Sequence, residues 1–164
     1  MDAARSALNA VNPDVVVVAL QKRVEEFSEL VAGADVVLDC SDNFATRHAV
    51  NRACVRHAKP LVSGAAIRFD GQLAVFDLTK KNSPCYACLF PEDTQIEEVQ
   101  CSVMGVFAPL TGVIGAMQAM EAIKLLTGVG EALNGRLVIL DAKNADWRTV
   151  KVAKDPVCPV CRQR

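Results

Sequence analysis

Four of the seven cysteines in this 164-residue chain fall into two C-x-x-C pairs, Cys85 and Cys88 in "PCYACLF" and Cys158 and Cys161 in "PVCPVC". Two thiolates three positions apart in a tight turn can grip one ion side by side, and two such pairs complete a tetrahedral Zn(II) shell. With 69 residues between Cys88 and Cys158, the ion would clip the end of the chain back to its middle. The alternatives are a redox-active pair and simple buried thiols. A redox pair normally opens a helix beside a βαβ unit, and Cys158-Pro-Val-Cys161 does not read that way. The doubled spacing therefore favours structural zinc.

The second constellation is "LDCSDN", where Asp39, Ser41, Asp42 and Asn43 follow an apolar strand. In open α/β sheets ligands gather at the carboxyl ends of parallel strands, against the free N–H groups of the next helix. Carboxylates there can hold Mg(II) against a nucleotide's phosphates. The other reading is that Ser41 or Asp42 only caps the helix, which is what such residues most often do. Cys101 stands alone between an acidic stretch and an apolar helix, either as a reactive thiol in an exposed loop or as a spare one. Cys40 and Cys54 read as packing residues. His48 and His57 share a helix with no triad-like partners, and surface or edge positions are expected for both. Arg68 suits either the site or a solvated turn.

The elements that must position these residues follow from periodicity. Residues 3 to 10 read as the tail of a helix, "VVVVAL" (Val15 to Leu20) as a buried strand, residues 22 to 33 as a helix ending at Gly33, and "ADVVLDC" as a second buried strand. A capped helix runs from "SDN" to about Ala58, where Lys59-Pro60 stops it. "PLVSGAAI" is a third short strand, and "RFDGQLAVFDL" two extended runs joined around Asp70-Gly71. "PEDTQIEEVQ" is an exposed crossing loop. Pro109 opens a long apolar helix ending near Gly128, with Gly112, Gly115, Ala116 and Ala119 leaving room for close packing. "RLVIL" and "WRTVKV" complete an α/β chain whose mixed sheet starts parallel and turns antiparallel.

Composition narrows the partners. With 18 basic and 19 acidic residues, a net charge of −1 and 5% aromatic residues, no field draws in a nucleic acid or an anionic membrane. Cys101 to Met120 carries no charge and nears the length of a membrane span, but Pro109, Thr111, Gln118 and three glycines interrupt it. A buried helix is expected instead. The odd cysteine count and the lack of a secretory leader fit reduced thiols in a cytoplasmic setting.

"VVLDCSDNFATRHAVNRACV", "PLVSGAAIRFDGQLAVF", "PCYACLF", "GVFAPLTGVIGAMQAMEAIKLLTG" and the closing "CPVC", in that order, resemble the HesA/MoeB/ThiF family of bacterial adenylyltransferases, similar to ubiquitin-activating enzymes. The resemblance implies a Rossmann-like mixed sheet with a zinc-stapled C-terminus. It also implies Mg-ATP-dependent adenylation of the C-terminal glycine of a ubiquitin-like sulfur carrier ending in Gly-Gly, for molybdopterin or thiamine biosynthesis. Asp42 would face magnesium and nucleotide, Asn43 would lie beside the nucleotide, and Cys85, Cys88, Cys158 and Cys161 would hold zinc. Cys101 corresponds to the cysteine that links covalently to the carrier in some relatives.

Relatives of that kind begin with a strand and a glycine-rich turn that cradles the phosphates, followed by an arginine and a lysine. None of these precedes Met1, and Gly128-Val-Gly130 lacks the strand and third glycine the mechanism needs. Residues 1 to 164 then read as one domain, the C-terminal part of the activating-enzyme fold with its N-terminal nucleotide-binding strands missing. Weak or absent ATP affinity is expected for the chain alone, with a non-catalytic zinc-stapled module that docks a carrier or a paralogue as the alternative function. The edge left open at Val15 to Leu20 predicts self-association as a homodimer.

Overall fold

The computed structural model describes residues 1–23, 28–92 and 104–164. Helix α1 (Asp2–Val11) buries none of its residues. After α2 (Ser28–Ala32), strand β1 (Val37–Asp39) leads into helix α3 (Phe44–His57) and strand β2 (Leu61–Ile67). Strand β3 (Asp70–Phe76), the short helix α4 (Tyr86–Leu89), the long helix α5 (Ala108–Thr127) and strands β4 (Arg136–Asp141) and β5 (Asp146–Lys151) complete the order.

The five strands lie in sequence order, β1-β2-β3-β4-β5. Only β1 and β2 are parallel, in the register Val37↔Leu61 to Asp39↔Ser63, as their connection through α3 requires. The remaining pairs are antiparallel. The mixed sheet expected from the sequence is therefore present, with two differences. Val15–Leu20 is not a strand; Val16 is 88% exposed and Val18 73%. An apolar run becomes a strand only if a neighbour satisfies its backbone groups, and no strand of the sheet pairs with it. The β2–β3 hairpin turns at Arg68-Phe69 rather than Asp70-Gly71, since Ile67 already pairs with Asp70 and Arg68 adopts a φ of 49°.

Alternation along the strands supplies two apolar faces. Leu61, Ala74, Phe76 and Leu137 point to one side, where α3, α4 and the paired cysteines cover them. Val62, Leu73, Val75 and Val138 point to the other, beneath α5 and its Met117 and Leu125. Close approach of α5 is permitted by glycines in the sheet. A Cβ on Gly64 would lie 2.4 Å from the Gln118 side chain, and one on Gly71 would lie 2.7 Å from Ile114. Gly112 and Gly115 of the helix face open space instead, which corrects the expectation that they make the close contact.

α5 is also not a buried helix. Leu110, Ile114, Gln118, Glu121 and Ala122 form its covered stripe, whereas Met120, Ile123 and Leu126 are more than half exposed. Phe107 caps it with Pro109 in the first turn, and Gly128 ends it at a φ of 71°. Among the described residues no helix is long and apolar enough to cross a membrane.

Candidate functional site

Two sites flank α3, one at its N-terminus and one against its middle. At its N-terminus the cap is Asn43, whose Oδ1 accepts the Thr46 N–H at 2.8 Å. Neither Ser41 nor Asp42 is the cap. Ser41 instead donates its backbone N–H and its hydroxyl to Asp39 Oδ1, at 2.9 and 2.6 Å. Asp42 is left exposed, and among the described residues its hydrogen-bond partner is the Asn43 amide at 3.3 Å.

Two side chains that the sequence did not single out fix this junction. Arg47 is buried beneath it, donating to Ser63 Oγ at 3.2 Å, to the Gly64 carbonyl at 3.0 Å and to the Ser41 carbonyl, with its guanidinium 3.8 Å from Asp39 Oδ2. Gln118 of α5 reaches across from the opposite side of the sheet to the carbonyls of Asp39 and Val62, at 2.9 and 3.3 Å. Asp39 itself is 3% exposed, and among the described residues its Oδ2 accepts no hydrogen bond.

Cavities open on both sides of the junction. One of about 400 Å³ has Ser41, Asp42, Arg47, Gly64, Gln72 and Gln118 in its wall. The other, about 630 Å³, brings Lys22 and Arg23 against Asp39, Ser41, Asn43 and Thr46. Asp42 and Asn43 thus share one turn, in the walls of two cavities that meet at Cys40 and Ser41. Arg68 sits at the β2–β3 turn, its guanidinium against Met104 Sδ at 3.2 Å.

The second site is the cysteine cluster. Pro84 delivers Cys85 to the start of α4, where its backbone N–H points at Cys88 Sγ at 3.4 Å. The closing residues bring Cys158 and Cys161 onto the same spot. The sulfurs stand 3.8 Å apart for Cys85 and Cys158, 3.9 Å for Cys85 and Cys88 and 3.5 Å for Cys88 and Cys161, and all four lie within 4.8 Å of one another. Bonds of about 2.3 Å from Zn to tetrahedral thiolates separate the sulfurs by about 3.8 Å. The donor set and spacing therefore suit a metal ion, and only Cys88 is not wholly buried.

Within the cluster Cys88 is prepared for negative charge, whereas burial pushes the Cys161 thiol up to about 12. Cys88 is held below the usual thiol range, first by the hydrogen bond from the Cys85 thiol and then, against the opposing effect of burial, by the backbone N–H groups of Cys85 and Asp155. Cys85 is held above that range by the same shared proton and by burial. Outside the cluster, Arg164 donates to the carbonyls of Leu78 and Lys80, and Lys154 to that of Lys81 at 2.7 Å. These contacts tie the tail to the 78–81 turn.

Of the other cysteines, Cys54 is fully buried as expected. Cys40 is exposed instead, with its thiol 3.4 Å from Gln118 Oε1. The strand ends one residue before it, so its side chain lies at the rim. Cys101 and the loop residues 93–100 lie outside the described residues. His48 is buried, contrary to expectation. Its ring stacks on Phe44 and meets the edge of Tyr86 at 5.3 Å, with Nδ1 3.7 Å from Glu92. His57 is half-buried and away from both sites. Gly128-Val-Gly130 follows α5 and opens no helix.

The ThiF family matches residues 1–160. The chain belongs to that family. It is 42% identical over 99% of its length to the molybdopterin-synthase adenylyltransferase of Salmonella typhimurium, covering 66% of that protein. It is 45% identical over 94% of its length to the sulfur carrier protein ThiS adenylyltransferase of Escherichia coli and 43% identical over 98% to the SAMP-activating enzyme E1 of Haloferax volcanii, covering 61% and 59% of them. The ThiF-family chain therefore spans less than two thirds of the length of each of these relatives. Its fold superposes on the crystal structure of Escherichia coli MccB with a TM-score of 0.77, at 19% identity, over 98% of this chain and 49% of that one.

Proposed function

We propose that this ThiF-family chain serves the ATP-dependent adenylation of the C-terminal glycine of a ubiquitin-like sulfur carrier, in molybdopterin or thiamine biosynthesis. Relatives named for molybdopterin synthase and for ThiS support the substrate class. The observation that carries the reading is the placement of Asp42: an exposed carboxylate at the end of the parallel pair β1–β2, on the rim of a cavity and not consumed as the helix cap.

The chemistry asks little covalent work of the protein. The carrier's terminal carboxylate oxygen forms a bond to the α-phosphorus while the bond from that phosphorus to the departing pyrophosphate breaks, so positioning and charge neutralisation dominate. Mg(II), when bound with ATP, would supply much of that neutralisation, and Asp42, a hard oxygen donor, is the residue to hold it. Asn43, with the α3 N-terminus it caps, and Lys22 and Arg23 across the cavity wall are the groups that would face the nucleotide. Arg47 and Gln118 hold the junction rigid from beneath. In this reading Cys101 takes the acyl group from the adenylate as a thioester, releasing AMP.

We assign the second site to a structural zinc held by Cys85, Cys88, Cys158 and Cys161, a closed shell with no open position for catalysis. Residues 1–164 act as one domain in this account. A homodimer belongs to it as well, since Val16, Val18, Ile123 and Leu126 leave apolar surface exposed.

The test is ATP–pyrophosphate exchange with a carrier ending in Gly-Gly. Exchange that needs the last glycine and disappears in Asp42→Ala supports the proposal. Carrier binding that ignores nucleotide, with no exchange at any ATP concentration, supports instead the non-catalytic docking module.

A further inference from the structure

Asn51 is a buried polar side chain for which neither site accounts. It lies on the third turn of α3 with no exposed surface, pointing into the core rather than to solvent. A buried primary amide is stable only if both of its ends are used. Its Oδ1 accepts the N–H of Tyr86 at 2.9 Å, and its Nδ2 donates to Cys85 Sγ at 3.6 Å. The orientation is not arbitrary. A backbone N–H can only be met by the oxygen, so the Tyr86 contact turns the NH2 group toward the thiol.

We propose that Asn51 is the positioning residue of the metal centre: it presents an N–H to the Cys85 thiolate and locks the C-x-x-C turn onto α3. This inference rests on the zinc reading above. Four thiolates around a divalent ion leave a net negative charge in a largely buried place, and N–H donors aimed at the sulfurs offset it. Cys88 receives such donors from the backbone of Cys85 and Asp155. Cys85 is wholly buried and receives a donor from a side chain on another element. The same face of α3 carries Phe44 and His48 against Tyr86 and Phe90, so one helix joins the metal turn to the loop that presents Asp42.

An aspartate at this position keeps the acceptor for Tyr86 but replaces the donor with a negative charge beside the sulfur. The full chain is loaded with Co(II) in place of zinc, and the wild type is compared with Asn51→Asp by competition with a chromophoric chelator and by the thiolate-to-cobalt charge-transfer band. Outer-sphere losses of this kind weaken metal binding by about 10–100-fold. That loss is expected here, with the band moved to lower energy because the sulfur lone pair is no longer stabilised by a hydrogen bond. Equal affinity and an unmoved band overturn the inference, even if the variant melts at a lower temperature with and without metal.

A wild type that binds no Co(II) at all sinks the zinc reading itself, which is a distinguishable result. Should Asn51→Asp not fold, Cd(II)-loaded wild-type protein decides. A scalar coupling between ¹¹³Cd and the Asn51 side-chain amide proton is expected, and its absence overturns the proposal.

Discussion

The Arg47 guanidinium lies 3.8 Å from the Asp39 carboxylate, with both side chains withdrawn from solvent beneath the β1–α3 turn. Among the described residues Asp39 Oδ2 has no hydrogen bond of its own, so the cation, with the two Ser41 donors on Oδ1, makes burial of that charge tolerable. Removing one partner of a buried pair typically costs about 3–5 kcal/mol, because the other charge is stranded. Arg47→Met is therefore expected to lower the unfolding free energy by about that amount in urea titrations. Adding Asp39→Asn to it should recover a large part of the loss, since the stranded charge is then gone.

The same turn separates two roles that the sequence ran together. Asn43 caps α3 through the Thr46 N–H, and losing such a cap costs about 1 kcal/mol. Asp42 is exposed and does not cap, so Asp42→Ala should stay within about 0.5 kcal/mol of the parent in stability. Isothermal titration with Mg-ATP and carrier should show the reverse ranking, with Asp42→Ala losing Mg-dependent nucleotide binding and Asn43→Ala retaining a measurable part of it. Equal loss of stability in both variants would contradict this division.

What was legible in advance was whatever a residue type and its spacing fix locally. The cysteine pairs are such a case: thiols three apart, twice over, have few uses, and the fold brings them within 4.8 Å. The parallel-to-antiparallel order of the sheet was also readable, because the strand lengths and the Pro60 and Gly128 boundaries are local signals. Arg47, Asn51 and Gln118 were not readable. Arg47 and Asn51 sit on a helix rich in polar residues that look solvated in sequence, Gln118 is an isolated amide in an apolar helix, and only the packing of α3 and α5 against the sheet turns them inward. Val15–Leu20 failed for the opposite reason. Its run of valines has every local property of a buried strand, but pairing is settled by a neighbour that the segment itself does not encode.

The contact between Gly64 and Gln118 gives a test of how tightly α5 is seated. An alanine Cβ at position 64 would come 2.4 Å from the Gln118 side-chain amide, which itself is held by the carbonyls of Asp39 and Val62. Overpacking costs about 1–3 kcal/mol, and displacing the amide adds lost hydrogen bonds. Gly64→Ala should thus be destabilising in thermal unfolding, and more so in the parent than in a Gln118→Ala background where the clashing group is absent. A double-mutant cycle with no coupling between the two positions would show that the helix yields instead of the side chain.

His48 supplies a pH dependence of known sign. Burial lowers its pKa below the ordinary 6.5; the Glu92 carboxylate opposes this and Arg52 adds to it. A histidine depressed in the folded state binds its proton more readily when unfolded, so its contribution to stability is full above the unfolded value and declines as pH falls below about 6.5. Urea midpoints of the wild type between pH 7.5 and 5.5 should fall more steeply than those of His48→Gln. Parallel slopes would mean that the ring gains in Glu92 what it loses to burial.

Metal removal should act on one end of the molecule before the rest. The tail from Lys154 onward reaches the body through the Cys158 and Cys161 thiols and through Arg164 and Lys154 on the 78–81 turn. Structural zinc sites contribute on the order of 10 kcal/mol or more in small peptides, far above the roughly 0.5–1.5 kcal/mol of a single hydrogen bond, so a zinc ion held there as proposed would dominate this attachment. Treatment with a zinc chelator, or the substitution Cys161→Ser, should therefore expose the segment after Lys151 to limited proteolysis and release backbone amides of residues 84–90 to rapid hydrogen exchange in the same step. The amides of β2 and β3, paired in the middle of the sheet, should stay protected. If the tail remains protected after the metal is gone, the contacts of Arg164 and Lys154 hold it unaided and the staple is not what closes the fold.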